Sequence, residues 1–130
     1  MKRFSKNVKT GQVDMVILEG AFTIGASGAV VADSLDGAGL TSVTLGVNPG
    51  KYAIKLEDPL NKFFMFNWCF TGSVNSTIGS VQVLSETVAS TKFVNLQCYD
   101  ITGSAASPAS GCTMRFVVQC RESGVLGKGE

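Results

Sequence analysis

Lys62–Phe70 reads KFFMFNWCF. It holds five of the chain's nine Phe and Trp residues, with Met65 and Cys69 between them. In a strand, successive side chains point to opposite faces. One alternate set is Phe64, Phe66, Trp68 and Phe70; the other is Phe63, Met65, Asn67 and Cys69. Both sets are mostly apolar, so the pattern predicts a strand covered on both sides. It reads as the central strand of an all-β domain, or as a strand shared between the core and a neighbouring subunit. Trp68 is expected to be buried.

Strand signals continue on either side of this run. Gln12–Glu19 is rich in β-branched residues; Gly20 interrupts it, and Ala21–Ile24 reads as a second strand. After the small turn at residues 25–28 comes a short strand over Ala29–Ala32, then a turn-forming loop over Asp33–Gly39. That loop carries Asp33, Asp36 and Ser34, too few oxygen ligands at the wrong spacing for a calcium loop. Leu40–Val47 and Lys51–Glu57 flank Asn48-Pro49-Gly50, which predicts a hairpin: Pro49 presets φ and Gly50 accepts the left-handed region. Val43, Leu45 and Val47 would share one face, and Tyr52, Ile54 and Leu56 another. Asp58–Asn61 is long enough for one helical turn at most. Thr71–Thr77 is a polar loop. Ile78–Glu86, Thr91–Asp100 and Cys112–Arg121 are the last three strands, with Met114, Phe116, Val118 and Cys120 on the buried face of the final one. Ile101–Gly111 is a long connection of small residues that Pro108 should keep extended. Short strands at this spacing, with Gly and Pro turns, predict an all-β fold: an antiparallel β-sandwich or jelly-roll-like barrel. Its span is 11–122, between a flexible basic N-terminal arm (1–10) and a C-terminal tail (123–130).

The chain has 130 residues, which fits one domain able to bury a core without staples. Charged residues are 16% of the chain and the net charge is +1, so no global field points to nucleic acid. So low a charge content predicts that some surface is covered in an assembly. No apolar run approaches the ~20 residues of a membrane span, and the basic N-terminus leads into no signal-peptide pattern. A soluble chain is expected, with its four cysteines reduced and mostly in the core. Cys98 and Cys120 lie on apolar faces of strands that could be neighbours; core thiols are favoured over a disulfide there.

Histidine is absent. That removes Ser/His/Asp and Cys/His catalysis and every His-ligated metal site. Glu57 and Asp58 are adjacent, so on a strand they face opposite ways and form no glycosidase-like pair. The glycines lack phosphate-loop spacing. Neither an enzyme nor a cofactor is expected. Arg115, Arg121, Lys51 and Lys55 read as edge-strand charges that block sheet-to-sheet aggregation, or as partners for acids of a neighbouring chain.

Phe22–Val30 (FTIGASGAV), Gly39–Asp58 (GLTSVTLGVNPGKYAIKLED) and Ser80–Gln119, with its DITGSAASPASG segment at Asp100–Gly111, together resemble small virion structural proteins of tailed bacteriophages. The resemblance covers roughly residues 20–120 and consists of turn and strand motifs. It implies a decoration or cement protein of the capsid, located in the virion and assembled in the host cytoplasm. The implied partners are the major capsid protein and copies of the chain itself, as a homo-oligomer such as a trimer. Nucleic acid, membrane and small-molecule substrate are not among them. Contacts are expected through loops and termini: Lys2, Arg3, Phe4, Lys6 and Lys9 in the arm, Asp33 and Asp36 in the loop, Pro108, and Val125 and Leu126 in the tail. The alternative is a tail- or fibre-associated β-sandwich that binds a receptor or carbohydrate, which would need an exposed aromatic beside an acid cluster.

Overall fold

A computed structural model describes residues 15–121. It contains seven strands: β1 (Met15–Thr23), β2 (Leu40–Leu45), β3 (Lys51–Leu56), β4 (Lys62–Thr71), β5 (Ile78–Glu86), β6 (Phe93–Asp100) and β7 (Thr113–Arg121). They form two antiparallel sheets, ordered β1-β7-β4 and β2-β3-β6-β5. The sheets face each other as a sandwich and do not close into a barrel. Only the β2–β3 and β5–β6 connections stay within a sheet; the others cross between the two layers.

The core is the inward alternate set of each strand. β1 contributes Val16, Leu18 and Phe22, and β7 contributes Met114, Phe116, Val118 and Cys120. From the other layer come Tyr52, Ile54 and Leu56 of β3 and Val94, Leu96 and Cys98 of β6. The predicted hairpin, its turn and the inward faces of β3 and β7 are all present. Only Val43 of the set Val43, Leu45 and Val47 is buried: β2 ends at Leu45, and Val47 stands fully exposed in the turn.

Gly20 does not divide the first strand. β1 runs unbroken through it, paired across to Phe116. A Cβ at Gly20 would meet Leu40 Cδ1 at 2.5 Å and Phe116 Cζ at 2.6 Å. The glycine is therefore a seat for two core side chains, which a strand interior accepts where another group approaches closely. The expected strand over Ala29–Ala32 reduces to a single bridge between Ile24 and Val30. Asp58–Asn61 forms no helical turn; it carries buried Leu60 into the core, held by the Leu60 amide donating to the Val88 carbonyl at 2.9 Å.

One end of the sandwich gathers the start of the 24–39 connection and all of 46–50, 72–77 and 101–112, while the rest of 24–39 runs back along the side to the opposite end, where β2 begins. The 101–112 connection folds back over this end. Its Ala106 amide donates to the Cys98 carbonyl at 3.1 Å, and its Gly111 amide to the Ile24 carbonyl at 2.8 Å. Pro108 is buried beneath it. Gly50 has φ +73°, and a Cβ there would collide with the Ala106 carbonyl oxygen, so this hairpin turn needs glycine for conformation and for space. Inside the same end, the Tyr52 hydroxyl donates to the Gly28 carbonyl at 2.6 Å, and the two rings of Phe22 and Tyr52 pack 5.4 Å apart.

Candidate functional site: the open side along strand β4

A two-layer sandwich has two sides where the edges of its sheets come together. Here β1 lies beside β2 on one side and β4 beside β5 on the other. The first side is closed by the 24–39 connection. Ala21 and Asp36 exchange backbone hydrogen bonds of 2.9 and 2.8 Å, and the Val31 amide donates to the Thr23 carbonyl at 3.0 Å. The second side has no such cover among the described residues. Phe63, Phe66, Trp68 and Phe70 of β4, with Ile78, Val81 and Val83 of β5, pack on the core yet remain partly exposed.

The placement of β4 corrects the reading of Lys62–Phe70 as a central strand. It is an edge strand: β7 pairs with one margin, and among the described residues no strand pairs with the other. β7, flanked by β1 and β4, is central instead. The aromatic run also does not alternate cleanly, because the register shifts between Phe63 and Met65. Phe64 is the extra residue of a bulge. Phe63 thereby joins Phe66, Trp68 and Phe70 on the inward face, opposite Cys120, Val118, Phe116 and Met114. Phe66 stacks on Phe116 at 5.9 Å, and Trp68 meets Phe70 edge-on at 5.8 Å. Trp68 faces inward as expected, but on an open side it is only half buried. Phe64 and Met65 remain 45% and 41% exposed.

The other edges differ from this one. β1 is bridged by Asp36. β2 carries a register shift between Leu40 and Ser42 and β5 carries two, which leave regular runs of only Ser42–Leu45 and Ser80–Val83; β4 has one shift, at its start. Bulges spoil a margin as a template for a further strand. On β4 the pairing from Met65 to Thr71 is regular throughout, and it contains no charged side chain.

The residues singled out from the sequence fall elsewhere. Asp33 and Asp36 are exposed, and Asp33 lines a hollow of about 490 Å³ between its loop and β2. Pro108 is buried, which corrects its expected role as a surface contact: the connection that carries it folds inward over the core. Lys2, Arg3, Phe4, Lys6, Lys9, Val125 and Leu126 lie outside the described residues. Lys51, Lys55, Arg115 and Arg121 are not edge-strand charges, because β3 and β7 are interior strands of their sheets. Lys55 instead sits 5.5 Å from the centre of the Phe93 ring. Arg115 Nε donates to Thr71 Oγ1 at 3.3 Å and borders a hollow of about 320 Å³ with Glu19 and Asn67. Among the described residues no group of three acid or thiol side chains could hold a metal ion. No helix there is long and apolar enough to cross a membrane.

All four cysteines are free thiols; Cys98, Cys112 and Cys120 are buried and Cys69 is exposed on β4. Cys98 and Cys120 are not strand neighbours: they face the core from opposite sheets. Burial, with Cys112 nearby, pushes the Cys98 thiol up to about 12. Burial, then the charge of Glu86, does the same for Cys120. Such thiols stay protonated and inert at neutral pH. Comparison with family models, with curated proteins and with solved structures finds no match for this chain.

Proposed function

We propose that this chain is a structural assembly protein of a phage virion, a decoration or cement module that holds shell subunits through its open β4 side. The observation that carries the reading is the asymmetry of the sandwich. One side is closed by the chain's own loop, and the other leaves a regular, uncharged strand margin and partly exposed aromatics that none of the described residues covers. Such a surface gains free energy by meeting another protein, through apolar burial and through backbone groups that a further strand can pair. The sequence resemblance supplies the context of a virion. A protein used in many copies on a lattice also gains from avidity, so each contact can be modest.

The carbohydrate-binding alternative receives less support. The chain's one Trp faces inward on β4, opposite Phe116, and offers no outward platform for a sugar ring. The test is co-sedimentation of the purified chain with capsids of its own phage. Saturable binding that Phe64→Lys abolishes, in a variant that still folds, is expected. Failure of the wild-type chain to bind capsids would overturn the proposal.

A further inference from the structure

We infer that β4 is the pairing strand of a two-fold dimer, in which a second copy of the chain lays its own β4 antiparallel along the margin that no described strand pairs, with Trp68 facing Trp68. This deepens the proposed function and rests on its reading of the open side: the second copy takes the Met65–Thr71 margin, and the exposed Phe64 beyond it is left for the shell subunit.

A two-fold axis pairs a strand with itself in antiparallel sense, so a segment that pairs well must be regular and must tolerate its own reverse. On β4 the regular segment is Met65–Thr71. Trp68 is its midpoint, so the whole segment overlaps its copy only when Trp68 meets Trp68. That register puts Phe66 opposite Phe70 and Asn67 opposite Cys69, with Met65 opposite Thr71. Faces match throughout. The inward aromatics continue into the partner's inward aromatics, and Asn67, Cys69 and Thr71 stay on the outer surface.

Charge agrees with this register. Lys62 is the only charged residue of β4, and it falls beyond the overlap, outside the paired segment. No like charges are brought face to face, which is where edge strands usually place a lysine as a block. The Phe64 bulge lies just outside the segment and so does not interrupt it. The result is a continuous six-stranded sheet, β1-β7-β4-β4-β7-β1. A stable pair covers on the order of 800 Å² per partner. The contributors at hand are the strand margin, the partly exposed Phe66, Trp68 and Phe70, and Val81 and Val83 of the neighbouring edge.

The register can be read by cross-linking, because Cys69 is the only exposed cysteine. Wild-type chains place Cys69 opposite Asn67. A double variant carrying Asn67→Cys and Cys69→Ser moves the exposed thiol two positions along the strand, where its own copy offers only a hydroxyl. Neither protein alone should form an interchain disulfide under mild oxidation, whereas an equal mixture should, since the displaced thiol then meets the wild-type Cys69. Sedimentation should show a dimer that Phe66→Lys or, if that variant unfolds, Met65→Lys dissociates. Trp68 fluorescence should change on dilution across the same range. A monomer at all concentrations, or disulfides formed equally in all three samples, would overturn the inference. The two readings fail separately. A monomer that still binds capsids removes the dimer and keeps the assembly role; a cross-linked dimer that ignores capsids does the reverse.

Discussion

Tyr52 shows how much one side chain can hold. Its ring lies in the core against Phe22, and its hydroxyl donates to the Gly28 carbonyl. Burial, more than the nearby Cys98 and Cys112, drives its ionisation above the ordinary tyrosine range. Tyr52→Phe keeps the packing and leaves a buried carbonyl without its donor. We expect a loss of roughly 1–3 kcal/mol in denaturant unfolding, with an unchanged denaturant slope. That Tyr52 points inward was legible from its alternation with Ile54 and Leu56. Its partner was not, because residue 28 reaches it only through the fold of a loop whose sequence shows nothing but small residues. The cysteines give a second expectation at this scale. One thiol, Cys69, should react with an aromatic disulfide reagent in the native protein at neutral pH, and all four after unfolding.

At the scale of elements, β1 and β4 show opposite failures of the same rule. Alternation located both strands. Gly20 looked like a break in β1, yet it is the place where Phe116 and Leu40 cross the strand. A glycine in an apolar run can mark a stop or a close approach, and sequence alone does not separate the two. Gly20→Ala should cost about 1–3 kcal/mol through overpacking, measured as a lower melting temperature with the strand content retained in the far-ultraviolet circular dichroism. For β4, two apolar faces suggested cover on both sides. An edge strand on an open side yields a similar composition, because a surface that meets a partner is apolar as well. The bulge at Phe64 was hidden too, since it depends on the register with β7 and not on the residues of β4 alone.

For the whole molecule, the all-β class and the sandwich were legible from strand spacing and turn chemistry. The strand order was not, since most connections cross between layers. The buried thiols tie global stability to alkaline pH. Cys98 and Cys120 titrate at about 12 when folded and at ~8.5 when unfolded. Above the unfolded value the unfolded chain releases protons that the native protein keeps, so stability falls as pH rises. The contribution is complete below about pH 8.5 and is lost on the way to about 12. Double replacement of Cys98 and Cys120 by Ala should flatten that slope in unfolding curves taken at successive pH values, at the cost of a lower baseline stability.

Phe63 already faces Cys120 and Met65 already faces Gln119, so the ladder would close with Phe64 excised. The ring of Phe64 stands outside the core packing, and the residue's backbone hydrogen-bonds the buried Cys120 thiol, so excision should leave a folded chain at the cost of about that one hydrogen bond. An excised chain that folds and no longer sediments with capsids would put the use of that ring in a contact outside the protomer.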